Sequence, residues 1–389
     1  MSTEAQREKH VLHVSAWRED LGGIQSLLTR HRELDPTLGL RPAFVSVFDP
    51  VNTWPGEARS LAAGGRTRIG ALKSSFRMAC DGLDCGTAIY HDGWGMEWFA
   101  PLDGASRRIL YLHTERPHLE SLLKRLAPLA DAVVGVSGSL LAALRRASPD
   151  FPEERLFLLP LPVTRPSRPI VKAGSKPEGQ VLRLGYAGRV ERGHKRLDRL
   201  PLLLAELDAL GLSWSFEVLG EGAYLGELRK SCASDPRVTF RGRLSGEDYW
   251  RALSAWDALV FLSDYEGTSL AALEAMSLGI PVVYPEFSPA ARELLGPCSG
   301  GGLYPVGDMK CAALRLKALS TLNEKERAEI GAQLMRLAEP HTGEAYAKAY
   351  SHALEQAIER PARVCASAAI RWPDWLPLGV YTRLFPRRF

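Results

Sequence analysis

Short apolar, β-rich runs alternate with helical stretches along the whole chain. In the first half the strand candidates are VLHVSA (11–16), AFVSVF (43–48), TAIYH (87–91), RRILYLH (107–113) and AVVGVS (132–137). In the second half they are LRLGYAG (182–188), SFEVLG (215–220), VTFRG (238–242), ALVFLS (258–263) and PVVYPE (281–286). Apolar strands separated by helical patterns predict parallel sheets with helices on both faces. Between the halves, residues 159–180 carry five prolines, several charges and no periodicity, which reads as a linker. The expected class is α/β, with two doubly wound Rossmann-like domains facing a cleft. Their expected bounds are 1–165 and 182–342, with a linker at 166–181 and a final helix and tail at 343–389. Ligands of such sheets bind at the carboxyl ends of the strands.

One helix interrupts the apolar pattern. In DYEGTSLAALEAMSLGIPVV (264–283), Leu270, Leu273, Met276 and Leu278 fall on one arc at 100° per residue. Glu274 lies inside that arc. Thr268 or Ser269 can cap the start, and Gly279 with Pro281 stops the helix. A lone buried carboxylate is costly unless paired or hydrogen-bonded, and taken alone Glu274 reads as one satisfied by a backbone N–H or an arginine. Glu266, in the loop leading into the helix, changes that picture. Both carboxylates can face one point near the helix N-terminus, where free N–H groups and the dipole favour phosphate. A ligand carrying hydroxyls and phosphate suits the arrangement, and a nucleotide sugar is such a ligand.

Upstream, GYAGRVERGHKRLD (185–198) ends a strand on a glycine turn and delivers Arg189 and Lys195 to the loop. A bidentate guanidinium and a point-charge ammonium suit a diphosphate. The residues fit a solvated basic loop equally well. VLGEGAYLGEL (218–228) could pass for a dinucleotide fingerprint, but the strand after it offers arginines where a ribose-binding acid is needed. A tight strand-to-helix turn is the better reading.

Taken in order, these motifs resemble the family 4 glycosyltransferases, retaining, nucleotide-sugar-dependent enzymes of GT-B fold. The resemblance covers about residues 182–306. It implies that Arg189 and Lys195 hold the donor diphosphate, that Glu266 contacts donor-sugar hydroxyls and that Glu274 binds the ribose. Amides of Thr268, Ser269 and Leu270 would approach sugar and phosphate, and Leu244 with Arg243 would line the base. In the first, acceptor-side domain, Gly22 and Gly23 match a glycine turn that touches donor or acceptor. Residues alone read the pair equally as a plain turn. His113, at a strand end, matches a histidine near the transferred sugar and is a catalytic candidate with Glu266; its imidazole could donate a hydrogen bond to a hydroxyl or help stabilise developing charge. YHDGWGMEWFAP (90–101) supplies the acceptor-site candidates Asp92, Trp94 and Trp98, although the two tryptophans at i and i+4 could equally pack inward. Ser137 matches a family landmark.

Departures touch donor geometry more than fold. The first domain closes on LPLPV in place of the family's Asn-Gly-Val turn, and Ser269 stands within EGTSL where a proline is common. The resemblance implies transfer by positioning and leaving-group stabilisation, with Glu266 orienting and not bonding covalently. No Asp-x-Asp occurs, and Arg189, Lys195 and the helix start at 268 can neutralise a diphosphate without a cation, so no cofactor or metal is expected. Two other readings compete: a non-catalytic GT-B nucleotide-sugar-binding protein, and a nucleotide-dependent oxidoreductase with two Rossmann-like halves.

Composition narrows the partners. A net charge of +4 and a pI near 8.7 fall short of a nucleic-acid signature. No apolar run of about 18 residues indicates a spanning helix, and the polar N-terminus lacks the apolar core of a signal peptide. Six scattered cysteines complete no zinc site and read as reduced thiols of a cytoplasmic protein. Expected partners are a nucleotide sugar and a glycan or lipid-linked acceptor. The tail mixes Trp372, Trp375, Tyr381 and Phe385 with Arg371, Arg383, Arg387 and Arg388. Together with residues 66–77 it could meet the inner face of an anionic membrane, or simply pack on its own protein.

Overall fold

Every one of the ten apolar runs forms a strand. A computed structural model of the chain describes residues 9–18, 22–50, 58–116, 118–163, 181–266, 268–298, 302–363 and 373–380. The chain divides into two units, residues 1–160 with 347–389 and residues 161–346. The helix Gly343–Glu359 begins in the second unit and ends in the first. Residues 164–180, most of the expected linker, lie outside the described residues.

The first unit holds β1 (Lys9–Ser15), β2 (Leu40–Ser46), β3 (Ala58–Ser60), β4 (Cys85–His91), β5 (Arg107–Leu112), β6 (Ala132–Gly135) and β7 (Leu156–Leu158). Their order is β3-β2-β1-β4-β5-β6-β7, and every pairing is parallel. The second unit holds β8 (Leu182–Ala187), β9 (Trp214–Leu219), β10 (Val238–Gly242), β11 (Ala258–Val260), β12 (Val282–Pro285) and β13 (Gly302–Tyr304). Here the order is β10-β9-β8-β11-β12-β13, again all parallel. Both sheets therefore reverse their winding once, between β1 and β4 and between β8 and β11. The loops at those two points are where a doubly wound sheet holds its ligand.

β3, β7 and β13 have no counterpart among the sequence-derived strands. Each is three residues long and sits at a sheet edge, too short for alternation to show. Inside the second unit, Tyr186, Trp214, Phe216, Val260, Leu200 and Leu316 share one core. Their burial makes the strands read as near-continuous apolar runs.

The described part of the tail packs on its own unit. Ile69 and Gly70 donate backbone N–H groups to Leu376 and Asp374 carbonyls at 3.0 and 2.8 Å, and Leu378 and Gly379 donate to Thr67 and Gly65. Lys73 pairs with Asp374 at 2.7 Å. Trp375 remains 69% exposed, so it contributes little to this packing. Trp372, Tyr381, Phe385, Arg371, Arg383, Arg387 and Arg388 lie outside the described residues. Among the described residues no helix is long and apolar enough to cross a membrane.

Candidate functional site

At the switch point of the second sheet, the loop leaving β8 is tied to the loop leaving β11. Asp264 donates its N–H to the His194 carbonyl at 2.8 Å. The Asp264 carboxylate accepts from Arg196 at 2.9 Å and from Arg199 at 2.5 Å, and Arg199 also donates to the Leu262 carbonyl. Arg196 has φ of +52°, a left-handed turn just after Lys195. These ties set Lys195 over Glu266: Nζ stands 2.6 Å from both carboxylate oxygens. Ser263 Oγ donates to the same carboxylate at 2.5 Å. Glu266 is 6% exposed. The sequence reading gave the two residues separate ligands, whereas the structure joins them in a buried ion pair. Arg189 approaches Glu191 at 3.9 Å, and its carbonyl accepts the Tyr186 hydroxyl.

The glycines after β9 serve packing. Gly188 and Val190 donate to the Leu219 and Glu221 carbonyls, so the loops leaving β8 and β9 cross in contact. A Cβ on Gly220, whose φ is +133°, would lie 1.8 Å from the Gly188 carbonyl oxygen. That bears out the tight-turn reading of GEG.

Ser269 occupies the N-cap position of the helix Leu270–Ser277, but its hydroxyl makes no capping bond. Inside that helix Glu274 meets a partner the sequence reading missed, the Tyr249 hydroxyl, which donates to Oε2 at 2.5 Å. Burial pushes the Glu274 pKa up to about 7, with the Tyr249 bond pulling the other way. Glu274 makes no hydrogen bond or ion pair with Glu266 or Lys195. Tyr249 sits on the helix Gly246–Ser254, which follows β10 directly after the half-buried Leu244 and exposed Arg243. A tyrosine in a charged helix gives little advance signal of a carboxylate partner.

The first unit receives its candidates differently. Gly22 and Gly23 are exposed at the start of the helix α1 (Gly23–Thr37), and Gly22 is extended with φ of 170°. A Cβ there would meet only the mobile end of Gln25, so the backbone does not demand glycine. Trp94 and Trp98 are 7% and 4% exposed, edge-on to each other at 5.9 Å, with Trp94 also edge-on to Phe48. They pack inward, the alternative left open by their spacing, and offer no open face for stacking on a sugar. Asp92 Oδ1 accepts the N–H groups of His113 and Thr114, and Oδ2 pairs with Arg116 at 3.2 Å. It braces the loop after β5. Ser137 accepts from the Leu140 N–H as the cap of the helix Gly138–Ala147.

His113 is buried and bonded to another histidine. Its Nε2 lies 2.9 Å from His91 Nδ1, and His91 Nε2 lies 3.0 Å from His13 Nδ1. His13 Nε2 then meets Asp35 Oδ2 at 2.9 Å, and His31 Nδ1 meets Asp35 Oδ1 at 3.0 Å. Burial pushes the His113 pKa down to about 4 and that of His91 well below its ordinary value, helped by neighbouring histidines.

Residues 182–322 match the family model described as "Glycosyl transferases group 1". The second unit carries a group 1 glycosyl transferase domain. Among curated proteins, a GDP-mannose-dependent alpha-mannosyltransferase of Mycolicibacterium smegmatis is 28% identical over 162 residues, 42% of this chain and 40% of the relative. The chain's alignments span two fifths or less of the curated relatives they match. Among solved structures, the sucrose-phosphate synthase of Thermosynechococcus elongatus superposes with a TM-score of 0.70 at 17% identity, covering 90% of this chain and 98% of that one. Anabaena HepE in complex with UDP and glucose gives 0.67 at 15% identity, covering 89% and 99%. These neighbours establish the two-sheet GT-B fold.

Beyond the glycosyl transferase domain, the cluster of His13, His31 and Asp35 has donor atoms within 4.8 Å of one another, a set that could hold a metal ion. The hydrogen bonds joining these residues account for their positions without one. Sequence reading missed this cluster. A histidine in the apolar run VLHVSA was the available signal, together with His31 and Asp35 four residues apart on one helix face. The buried thiols of Cys80 and Cys85 are pushed up to about 12 and about 11 by burial, which keeps them protonated.

Proposed function

We propose that the protein moves a sugar from a nucleotide-sugar donor to a glycan, lipid-linked or small-molecule acceptor, with retention at the anomeric carbon and without a metal ion. The observation that carries this reading is the buried Lys195–Glu266 pair at the β8/β11 switch point, four residues before the helix that bears Glu274. In this reading the donor diphosphate takes the Lys195 ammonium and the Arg189 guanidinium. Amides of Thr268, Ser269 and Leu270 at the helix start complete its cradle. Glu266, released from Lys195, orients the sugar hydroxyls. Glu274 receives the ribose diol alongside Tyr249, and Leu244 lies against the base.

The chemistry asked of these groups is electrostatic. A preorganised cation pair and a helix N-terminus stabilise the charge that develops on the leaving diphosphate. Holding acceptor and anomeric carbon in register supplies the rest. Retention follows if the acceptor attacks on the face the phosphate leaves, guided by that phosphate. The related mannosyltransferase is named for GDP-mannose and HepE was captured with UDP and glucose, so GDP and UDP head the nucleotides to test, with ADP as the third.

Isothermal titration of the three into wild type and Glu274→Ala decides the donor assignment. Removing a charged acceptor of ligand hydroxyls costs about 1.5–3 kcal/mol, roughly 10- to 100-fold in affinity. One nucleotide binding to wild type and weakened by that factor is the expected result. Absence of binding to wild type would overturn the reading.

A further inference from the structure

His113 ends a hydrogen-bonded row of imidazoles whose other end is a carboxylate. The row is built by strand register. His13 on β1 pairs with Ile89 on β4, and His91 pairs with Tyr111 on β5. Paired residues share a sheet face, as do residues two apart. His13, His91 and His113 therefore step across three adjacent strands on one face, straddling the β1/β4 switch point. Helix α1 covers the row with His31 and Asp35. None of the five is more than 4% exposed.

Proton positions along this row follow from donor and acceptor counts. Burial works to raise the Asp35 pKa, and the bonds from His13 and His31 overcome it and hold it below the ordinary carboxylate range. An ionised carboxylate only accepts, so His13 Nε2 and His31 Nδ1 carry hydrogens. A neutral imidazole has one donor and one acceptor. His13 Nδ1 then accepts from His91 Nε2–H, and His91 Nδ1 accepts from His113 Nε2–H. The row terminates at His113 Nδ1, a buried nitrogen with no hydrogen-bond partner among the described residues. The reverse polarity would need an extra proton on His13, a buried cation, and would leave an unmatched N–H at His113. Orphaned buried N–H groups are the rarer and costlier defect.

We infer that Asp35, acting through His13 and His91, fixes the tautomer of His113 with its hydrogen on Nε2, leaving the Nδ1 lone pair to accept a hydrogen bond from a ligand hydroxyl at the β1/β4 switch point of the first sheet. The ligand's part in this rests on the transfer reading above; the tautomer does not. Asp35, His13 and His91 are positioning residues. In this tautomer the ligand would donate and the imidazole accept, the opposite polarity to the hydrogen bond expected from the sequence.

Long-range proton–nitrogen spectra of the full chain with nitrogen-15 histidine, free of nucleotide, read the tautomer directly, with His113→Gln to assign the signal. His113 protonated at Nε2 is expected. Protonation at Nδ1 overturns the inference and fits instead a charged His13 or a cation held by His13, His31 and Asp35. Asp35→Asn is expected to give a mixture of His113 tautomers and Asp35→Glu to restore the single form; an unchanged tautomer in folded Asp35→Asn also overturns it. With transfer assayed, Asp35→Asn should lower kcat/KM by about tenfold, the loss of one hydrogen bond, while nucleotide diphosphate affinity stays the same. Transfer that is indifferent to Asp35→Asn counts against the inference. A wild type that binds no nucleotide defeats the donor reading alone, because the tautomer is measured on the free protein.

Discussion

At the scale of single residues, the second unit holds two carboxylates in opposite circumstances. Glu266 is paired with Lys195 at 2.6 Å and bonded by Ser263. Removing the ammonium leaves a buried charge with one hydroxyl for company. Lys195→Met should therefore lower unfolding free energy by about 3 kcal/mol, and adding Glu266→Gln should recover most of it; urea titrations of the single and double variants measure both. Glu274 has a tyrosine and, among the described residues, no cation, and its pKa rises from 4.5 to about 7. Between those values the folded state keeps a proton that the unfolded state releases. Stability is thus favoured below the unfolded pKa and lost as pH rises through the folded one, by up to about 3 kcal/mol. Denaturant midpoints from pH 5 to pH 8 should fall in wild type and flatten in Glu274→Gln. The place of Glu274 on an apolar arc was readable from the sequence. Its partner was not, because Tyr249 lies twenty-five residues upstream, on a helix that precedes β11, and strand order decides which helices meet.

At the scale of elements, helix ends and strand edges separate what was legible from what was not. Gly279, read as a helix stop, does adopt φ of +67°. It also touches another helix, Glu324–Ala338: a Cβ on Gly279 would lie 3.0 Å from the Gly331 carbonyl oxygen. Gly279→Ala combines strain with overlap and should cost about 1–3 kcal/mol. Gly226→Ala, where a Cβ meets nothing within 4 Å, should stay within about 0.5 kcal/mol. Thermal unfolding of the two variants makes the comparison. The side-chain cap expected of Ser269 or Thr268 does not form at Ser269, which holds the N-cap position without that bond. Capping preference describes averages, and here the loop from β11 already fixes the chain's entry.

At the scale of the whole molecule, two parallel sheets follow one plan, each reversing its winding once. A nucleotide that binds the folded chain alone stabilises it by mass action, about 2.7 kcal/mol at a hundred times Kd. Whichever of UDP, GDP or ADP binds by titration should raise the unfolding midpoint accordingly, and the other two should leave it in place. The order of apolar runs, the two α/β units, the glycine stop and the place of Glu274 on an apolar arc were all determined by the sequence itself. They depend on periodicity and local chemistry, which neighbours in the chain carry. The Lys195–Glu266 pair, the Tyr249 bond to Glu274, the inward packing of Trp94 and Trp98, and the row from Asp35 to His113 were decided only in three dimensions. Each joins residues on different strands or helices, and which of them meet is set by strand order and register, which no local pattern encodes.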